Sequence, residues 1–409
     1  MDKQTPGLSL RRFSFHYNAM SLSGMNIIVI GAGIGGLAAA RALALRGADV
    51  TVMEQAPEIT EVGAGLQISP NGFVVLNALG LGSAVKARSV EAGAVCLHDY
   101  RGRRVVRLDL ARHGLSDYLF VHRADLIDLL AEGARAAGAK LRLLQKVSSV
   151  TPGTRPRIDL ANGASLSADL VIGADGLHSK AREALNGSIA PFFTRQVAWR
   201  AVIPEDGSQP AEARVYMGPH RHLVSYPLRD GRIRNIVAVQ ERAAWAAESW
   251  SQEDDPIAMQ AAFGDFCPEA RDLLARVERV NLWGLFRHPV APSWHGGGVT
   301  ILGDAAHPTL PFMAQGACMA LEDAWVLADT LAGQGGALEG RLAAYQARRH
   351  NRTRRIVEAA NGNAWKYHLS FKPLRWAAHS AMRLGTTLAP ERMLRQFAWI
   401  HGHDVTAQA

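Results

Sequence analysis

Three glycines, Gly31, Gly33 and Gly36, follow directly on the apolar run Met25–Ile30 and precede the Ala/Leu-rich stretch Leu37–Arg46. A second apolar run, Asp49–Met53, ends at Glu54. Read as strand, turn, helix and strand, this order can bind a dinucleotide. The glycines permit a tight turn and let backbone approach a pyrophosphate. The helix N-terminus then offers N–H groups and a partial positive charge to that anion. Glu54 stands where a carboxylate accepts hydrogen bonds from ribose hydroxyls. This motif alone does not separate NAD from FAD.

Two further stretches end apolar strands in acidic turns. Asp169–Gly176 (DLVIGADG) leads into Ser179 and Arg182. By itself, Asp-Gly after a strand is most often a turn. Val299–Leu302 runs into Gly303-Asp304, then Ala305-Ala306-His307-Pro308, then Gln315-Gly316-Ala317 at the head of a helix expected over Cys318–Leu331, with Glu322-Asp323 near its start. His307 is read as a histidine that packs this loop. Together with Arg123 in VHRADL and the GAGLQISPN stretch at 63–71, these pieces resemble the class A flavoprotein monooxygenases, the para-hydroxybenzoate hydroxylase-like family, over residues 25–360.

That resemblance implies a non-covalent FAD with NADH or NADPH as co-substrate. It places Glu54 on the ribose, Arg123 against FAD, Asp175 holding backbone near FAD and the nicotinamide nucleotide, and Asp304 on the ribitol. The N-terminus at Gly316 and Ala317 would face the flavin pyrimidine edge, where negative charge collects on reduction. The implied reaction is hydroxylation of a small aromatic or heteroaromatic hydroxy acid by O₂ through a flavin C4a-hydroperoxide. The alternative is another FAD-dependent hydroxylase on the same scaffold, acting on urate, a quinone precursor or a polyketide.

An electrophilic oxygen attacks a phenolate more readily than a phenol, so a base near the substrate hydroxyl accelerates the step. Histidine suits that task near neutral pH. His222 and Tyr226 in the stretch Tyr216–Tyr226 share one face if the segment is a strand. The spacing is similar to that of the salicylate hydroxylase, 3-hydroxybenzoate 6-hydroxylase and 6-hydroxynicotinate 3-monooxygenase branch. There the matching histidine is the base and the tyrosine positions substrate. The alternative is a satisfied sheet histidine. One departure stands out: Pro311 occupies the place of a glutamine in the 3-hydroxybenzoate 6-hydroxylase group. Arg200, Arg214 and Arg221 are candidates to hold a carboxylate bidentately, with at least two of them expected to be surface or structural.

A chain of 409 residues suggests about two domains. The fold class expected is α/β: an FAD-binding Rossmann-like domain of glutathione-reductase type, interleaved with a β-sheet substrate domain, plus C-terminal helices. The FAD-binding domain is assigned to 25–90, 111–190 and 281–340, the substrate sheet to 91–110 and 191–280, and the helical segment to 341–409. Residues 1–24 are expected to be a disordered extension without a secretory leader. Ala94–Leu110 reads as a hairpin and Arg214–Gln240 as two strands broken at Arg229-Asp230-Gly231.

No apolar run approaches the roughly 20 residues needed to span a bilayer. Three cysteines without C-x-x-C imply neither a disulfide framework nor a metal site, and suggest a cytoplasmic setting. The net charge of +8 is concentrated at the end, where residues 341–409 hold 12 Lys and Arg against 3 Asp and Glu. Arg341, Arg348, Arg349, Arg352, Arg354 and Arg355 are read as a solvated helix face packed through Leu342, Tyr345 and Ile356. No nucleic-acid module is present in the sequence, and a homodimer is left open.

Overall fold

The computed structural model describes residues 21–59, 65–113, 115–243, 253–333, 336–388 and 390–407. Residues 1–20 of the expected N-terminal extension lie outside the described residues. Residues 21–24 do not continue a disordered arm: they form a turn in which Leu22 is buried and its N–H donates to Arg46 O at 3.0 Å.

The first layer is a six-stranded sheet in the order His295–Gly296, Val299–Ile301, Leu170–Gly173, Asn26–Ile30, Asp49–Met53 and Lys140–Arg142. All pairs are parallel except the antiparallel edge formed by His295–Gly296. The central strands are near-continuous Ile, Val and Leu because both faces are covered. The helices Ile34–Ala44 and Gly316–Ala332 pack closely here. A Cβ on Gly35 would stand 2.7 Å from Leu302 Cδ1 and 3.2 Å from Ala320 Cβ. This parallel layer places three sequence motifs side by side at the carboxyl ends of adjacent strands, where ligands of such folds bind.

The second layer is an eight-stranded sheet in the order Glu253–Asp254, Val280–Arg287, Phe192–Pro204, Ile233–Glu241, Arg221–Leu228, Glu212–Gly218, Ala94–Asp99 and Arg104–Asp109. Ala94–Asp99 and Arg104–Asp109 form the expected hairpin. The stretch expected to hold two strands holds three. The additional reversal lies at Pro219-His220, where His220 adopts φ +60°. Residues 281–287, assigned from sequence to the dinucleotide-binding part, lie in this sheet instead. Its far face, with Trp199, Tyr216, Leu223, Ile236 and Ala238, packs on Met259, Phe263 and Phe266. Its near face carries Ala198 and Val239 against Leu310 and Phe312.

The helices Leu338–Tyr367, Lys372–Leu388 and Pro390–His401 complete the chain. Leu342, Tyr345 and Ile356 are buried, as expected. The arginines are not uniformly a solvated face. Arg349 is wholly buried, with Nη1 2.6 Å from Glu322 Oε2 and Nε donating to Asp323 Oδ1 at 2.7 Å. Arg352 Nη2 donates to Glu322 Oε1 at 2.8 Å. The correction has a simple cause: two buried carboxylates on Gly316–Ala332 require cations, and the next helix supplies them.

Replacing Arg349 with Leu leaves Asp323 and Glu322 short of a buried partner. The expected loss is about 3–5 kcal/mol in equilibrium denaturation. A loss below about 1 kcal/mol would show the pair to be dispensable.

Candidate active site

The glycine-rich turn has the shape a phosphate cradle needs. Gly31 has φ +100°, and a Cβ there would stand 2.5 Å from Ala174 O. A Cβ on Gly36 would stand 2.1 Å from Gly31 O, so only glycine lets the helix begin so close to the strand. At Gly33 nothing lies within 4 Å of a Cβ position, and the backbone is extended with φ −75°. The first and third glycines are thus held by protein packing, while the second borders open space. The helix Ile34–Ala44 has no side-chain cap at its N-terminus, so its N–H groups remain available to an anion. Glu54 follows the neighbouring strand. Its Oε2 accepts from Ala32 N–H at 2.7 Å and its Oε1 from Ala56 N–H at 2.8 Å, which holds the carboxylate against the turn.

Asp175 is turned onto its own chain. It accepts from Ser179 Oγ at 2.5 Å and from Lys180 N–H at 2.7 Å, heading the helix Lys180–Asn186. Arg182, buried, donates to Ala305 O, Ala306 O and Pro289 O at 3.1, 3.2 and 2.8 Å. That arginine ties the second motif to the third. This role leaves no local pattern around Arg182, because its three carbonyl partners lie more than 100 residues away.

Asp304 remains exposed although protein crowds its carboxyl. Crowding pushes its carboxyl up, while His307 and Arg123 draw it down. Arg123 begins the helix Arg123–Ala136, and its effect on Asp304 brings two of the expected cofactor residues together. His307 packs the loop as expected, with Nε2 2.5 Å from Asp323 Oδ2. The same oxygen accepts Gly303 N–H at 3.0 Å. Burial alone would raise the Asp323 carboxyl, but His307 and Arg349 bring it down to about 2. It therefore stays ionised and anchors the turn that presents Asp304.

Gly316 and Ala317 open the helix Gly316–Ala332, which again lacks a side-chain cap. Its approach is fixed from below. Asn71 Nδ2 donates to Gln315 Oε1 at 3.0 Å and to Glu322 Oε1 at 2.7 Å, and Gln315 Nε2 donates to Ser69 Oγ at 2.9 Å. Ala314, just before it, adopts φ +52°, a left-handed conformation uncommon for alanine. In the sequence, Ser69 and Asn71 were visible only as part of a loop. Gly63 and Ala64 of that stretch lie outside the described residues.

An open backbone turn, a carboxylate beside it, an exposed Asp304 and an uncapped helix N-terminus fit a nucleotide diphosphate joined to a flavin. Comparison with known proteins agrees. Residues 24–360 match the family model described as "FAD binding domain". The chain belongs to this family. It is 35% identical to the 3-hydroxybenzoate 6-hydroxylase of Polaromonas naphthalenivorans over 93% of this chain and 96% of that one. It is 33% identical to a 3-amino-4-hydroxybenzoate 2-monooxygenase of Streptomyces platensis, covering 92% and 96%. Among solved structures, Klebsiella pneumoniae HpxO complexed with FAD and uric acid superposes with a TM-score of 0.79 at 25% identity, over 92% of this chain and 96% of that one. The protein is an FAD-dependent aromatic-ring monooxygenase, and its cofactor is FAD.

In this monooxygenase, strand register puts His222, Val224 and Tyr226 on the near face of the large sheet. Ala198, Arg200, Val237 and Val239 share that face. His222 is buried between Phe312, Tyr367 and His368, with ring centroids at 5.1, 5.3 and 4.9 Å. Tyr226 packs on Phe120 at 5.0 Å and against Gly65, where a Cβ would meet its hydroxyl at 2.8 Å. Histidine and tyrosine thus share a face but serve different neighbourhoods. Burial pushes the Tyr226 phenol up, which keeps it a hydrogen-bond donor. Of the three arginines, Arg221 pairs with Asp265 at 2.9 Å and Arg214 with Glu269. Arg200 lies on the near face, with its guanidinium 4.3 Å from the Trp283 ring. Among the described residues no group of His, Cys, Asp and Glu is arranged to hold a metal, and no helix is long and apolar enough to cross a membrane.

The glycines separate folding from binding. Gly36→Ala is expected to destabilise the protein, because its methyl group meets backbone. Gly33→Ala is expected to fold like the parent and to lose FAD affinity, seen by flavin fluorescence titration. Equal FAD binding by Gly33→Ala and the parent would remove the turn from the cofactor site.

Proposed function

We propose that this monooxygenase hydroxylates a small aromatic or heteroaromatic hydroxy acid, with NADH or NADPH as electron donor and His222 as the base for the ring hydroxyl. FAD, held non-covalently by Gly31, Gly33, Gly36, Glu54, Arg123, Asp175, Asp304, Gly316 and Ala317, supplies activated oxygen when bound. Asp175 acts in this set through the backbone that it holds. The observation that carries the reading is the place of His222. It lies on the sheet face that meets Leu310 and Phe312, only a few residues beyond the Asp304 turn.

The chemistry follows from burial. Desolvation first, and then His368, holds the His222 imidazole well below its ordinary range. It is therefore neutral at neutral pH and able to accept a proton. Accepting the hydroxyl proton leaves a phenolate, which an electrophilic oxygen attacks more readily. In this reading Arg200, on the same face, takes a substrate carboxylate, and Tyr226 helps position the substrate. The apolar Ala198, Val237, Val239, Leu310 and Phe312 suit a planar ring and exclude water. Pro311 supplies no side-chain amide, so the proposal is for the substrate class rather than for the acid used by the 35% identical relative.

Salicylate, 3-hydroxybenzoate, 3-amino-4-hydroxybenzoate and 6-hydroxynicotinate form a direct screen for stimulated NAD(P)H oxidation, with identification of the product. His222→Ala should retain FAD and lose roughly 10²–10⁴-fold in hydroxylation rate, the usual contribution of a general base. More NAD(P)H should then be consumed without product. Raising the pH should partly restore the variant, because the substrate ionises unaided. Because the folded-state pKa is depressed, the acid limb of kcat/KM in the parent should fall below the ordinary histidine range. Unchanged hydroxylation in His222→Ala would make the histidine structural.

A further inference from the structure

His222 is not isolated in the core. Its Nδ1 lies 2.7 Å from Nε2 of His368, and Nδ1 of His368 lies 2.9 Å from Oε1 of Glu241. The other oxygen, Oε2, lies 2.7 Å from Nδ1 of His220. Four side chains, brought together from three parts of the sequence, make one chain. His222 is near the start of Arg221–Leu228, Glu241 ends Ile233–Glu241, His220 sits in the turn between Glu212–Gly218 and Arg221–Leu228, and His368 caps the long helix Leu338–Tyr367. The backbone locks the same elements together. His220 N–H donates to His368 O at 3.2 Å, and Glu241 N–H donates to His220 O at 2.9 Å.

Exposure rises in one direction along this chain. His222 and His368 are 1% and 4% exposed. The Glu241 and His220 side chains are 38% and 60% exposed. A path of hydrogen bonds therefore runs from the floor of the proposed substrate site to solvent.

We propose that His368 and Glu241 are positioning residues that fix His222 in one tautomer and relay its proton to the surface. The inference rests on the reading of His222 as the base. An ionised carboxylate only accepts hydrogen bonds, so Glu241 takes the Nδ1–H of His368. The Nε2 of neutral His368 must then accept, and its donor is the Nδ1–H of His222. That assignment leaves the lone pair of His222 on Nε2, which has no partner among the described residues. The base thus has its free nitrogen set by a carboxylate two residues along the path.

The proton count closes. The substrate oxygen loses one proton to Nε2 of His222. His222 passes its Nδ1 proton to Nε2 of His368, and His368 passes its Nδ1 proton to Oε1 of Glu241. Glu241 releases it to His220 or water. Each imidazole ends neutral with its tautomer reversed, and returns when the next proton moves back or the rings reset.

The groups around this path support neutral imidazoles within and charge at the rim. Phe312 and Tyr367 face His222 and carry no charge, since burial pushes the Tyr367 phenol up to about 12. His368 meets His222, Phe312, Glu241 and the more distant His220. Burial would raise Glu241, but hydrogen bonds from His220 and His368 bring it below the usual carboxylate range, so it is ionised at neutral pH.

Two measurements on the FAD-loaded full chain test this. The first needs no substrate: histidine ring-nitrogen NMR should show His222 and His368 with the proton on Nδ1. A proton on Nε2 of His222 would overturn the tautomer assignment and the relay with it. The second uses the acid from the four-member screen that most stimulates NAD(P)H oxidation, mixed in weak buffer with a pH-indicator dye. The parent should release a proton on binding. Glu241→Gln and His368→Phe should slow both release and hydroxylation by roughly 10-fold or more, a share of the base's own contribution, with little change in KM or FAD affinity. Glu241→Asp should lose less, and added imidazole should partly restore His368→Phe. Glu241 is at the rim, so its variants carry the test if His368→Phe fails to fold. If His222→Ala is impaired while Glu241→Gln keeps the parent's rates and pH profile, the relay is wrong and the base stands. If His222→Ala is itself unimpaired, or no acid stimulates oxidation, both readings fall.

Discussion

The ionised pair Glu322 and Asp323, buried in the helix that starts at Gly316, is the constraint on which the site depends. Two carboxylates without exposure would be prohibitive without compensation. Asp323 is compensated by Arg349, His307 and the Gly303 N–H, and Glu322 by Arg349, Arg352 and Asn71. Those partners come from three other segments: the Gly303–His307 turn, the helix Pro70–Ala78 and the helix Leu338–Tyr367. Satisfying the charges therefore fixes the Gly303-Asp304 turn, the head of the helix, the start of the helix Pro70–Ala78 and the helix Leu338–Tyr367 relative to one another. Well-packed apolar residues could supply equal stability. In this chain the charges also fix where each segment sits, a role that apolar packing specifies less sharply.

A second consequence concerns how the two sheets meet. The loop from Asp304 to Gln315 carries Leu310 and Phe312 onto the near face of the large sheet. Arg182 holds the start of that loop through the carbonyls of Ala305 and Ala306. The same loop therefore carries both Asp304, proposed to hold the cofactor, and Phe312, on the proposed substrate face. A monooxygenase must bring these sides together while keeping water out, and this short loop is held at both ends, by Arg182 at its start and by Asn71 and Ser69 through Gln315 at its finish.

Local patterns made much of this legible in the sequence. Gly31, Gly33 and Gly36 sit in an order whose physical demands are local, and the structure shows a steric reason for Gly31 and Gly36 and open space at Gly33. The apolar strands before them were equally plain, since a strand buried on both faces has little freedom of composition. The His222 and Tyr226 face followed from the two-residue period of a strand. What sequence missed is non-local. Arg349 looked like its exposed neighbours because a helix periodicity does not reveal a carboxylate on another helix. His368 is 146 residues from His222, and nothing in its surroundings marks it. The extra turn at Pro219-His220 was hidden because a non-glycine residue supplies its positive φ.

The central claim is that the residues gathered between the two sheets direct oxygen onto an aromatic hydroxy acid. The most direct test is a reaction of the FAD-loaded protein with NAD(P)H and isotopically heavy O₂ in the presence of the acids named above. The account predicts a ring-hydroxylated product carrying the heavy isotope, from at least one acid. NAD(P)H consumption that yields only hydrogen peroxide with every acid, or a product whose new oxygen comes from water, would contradict it.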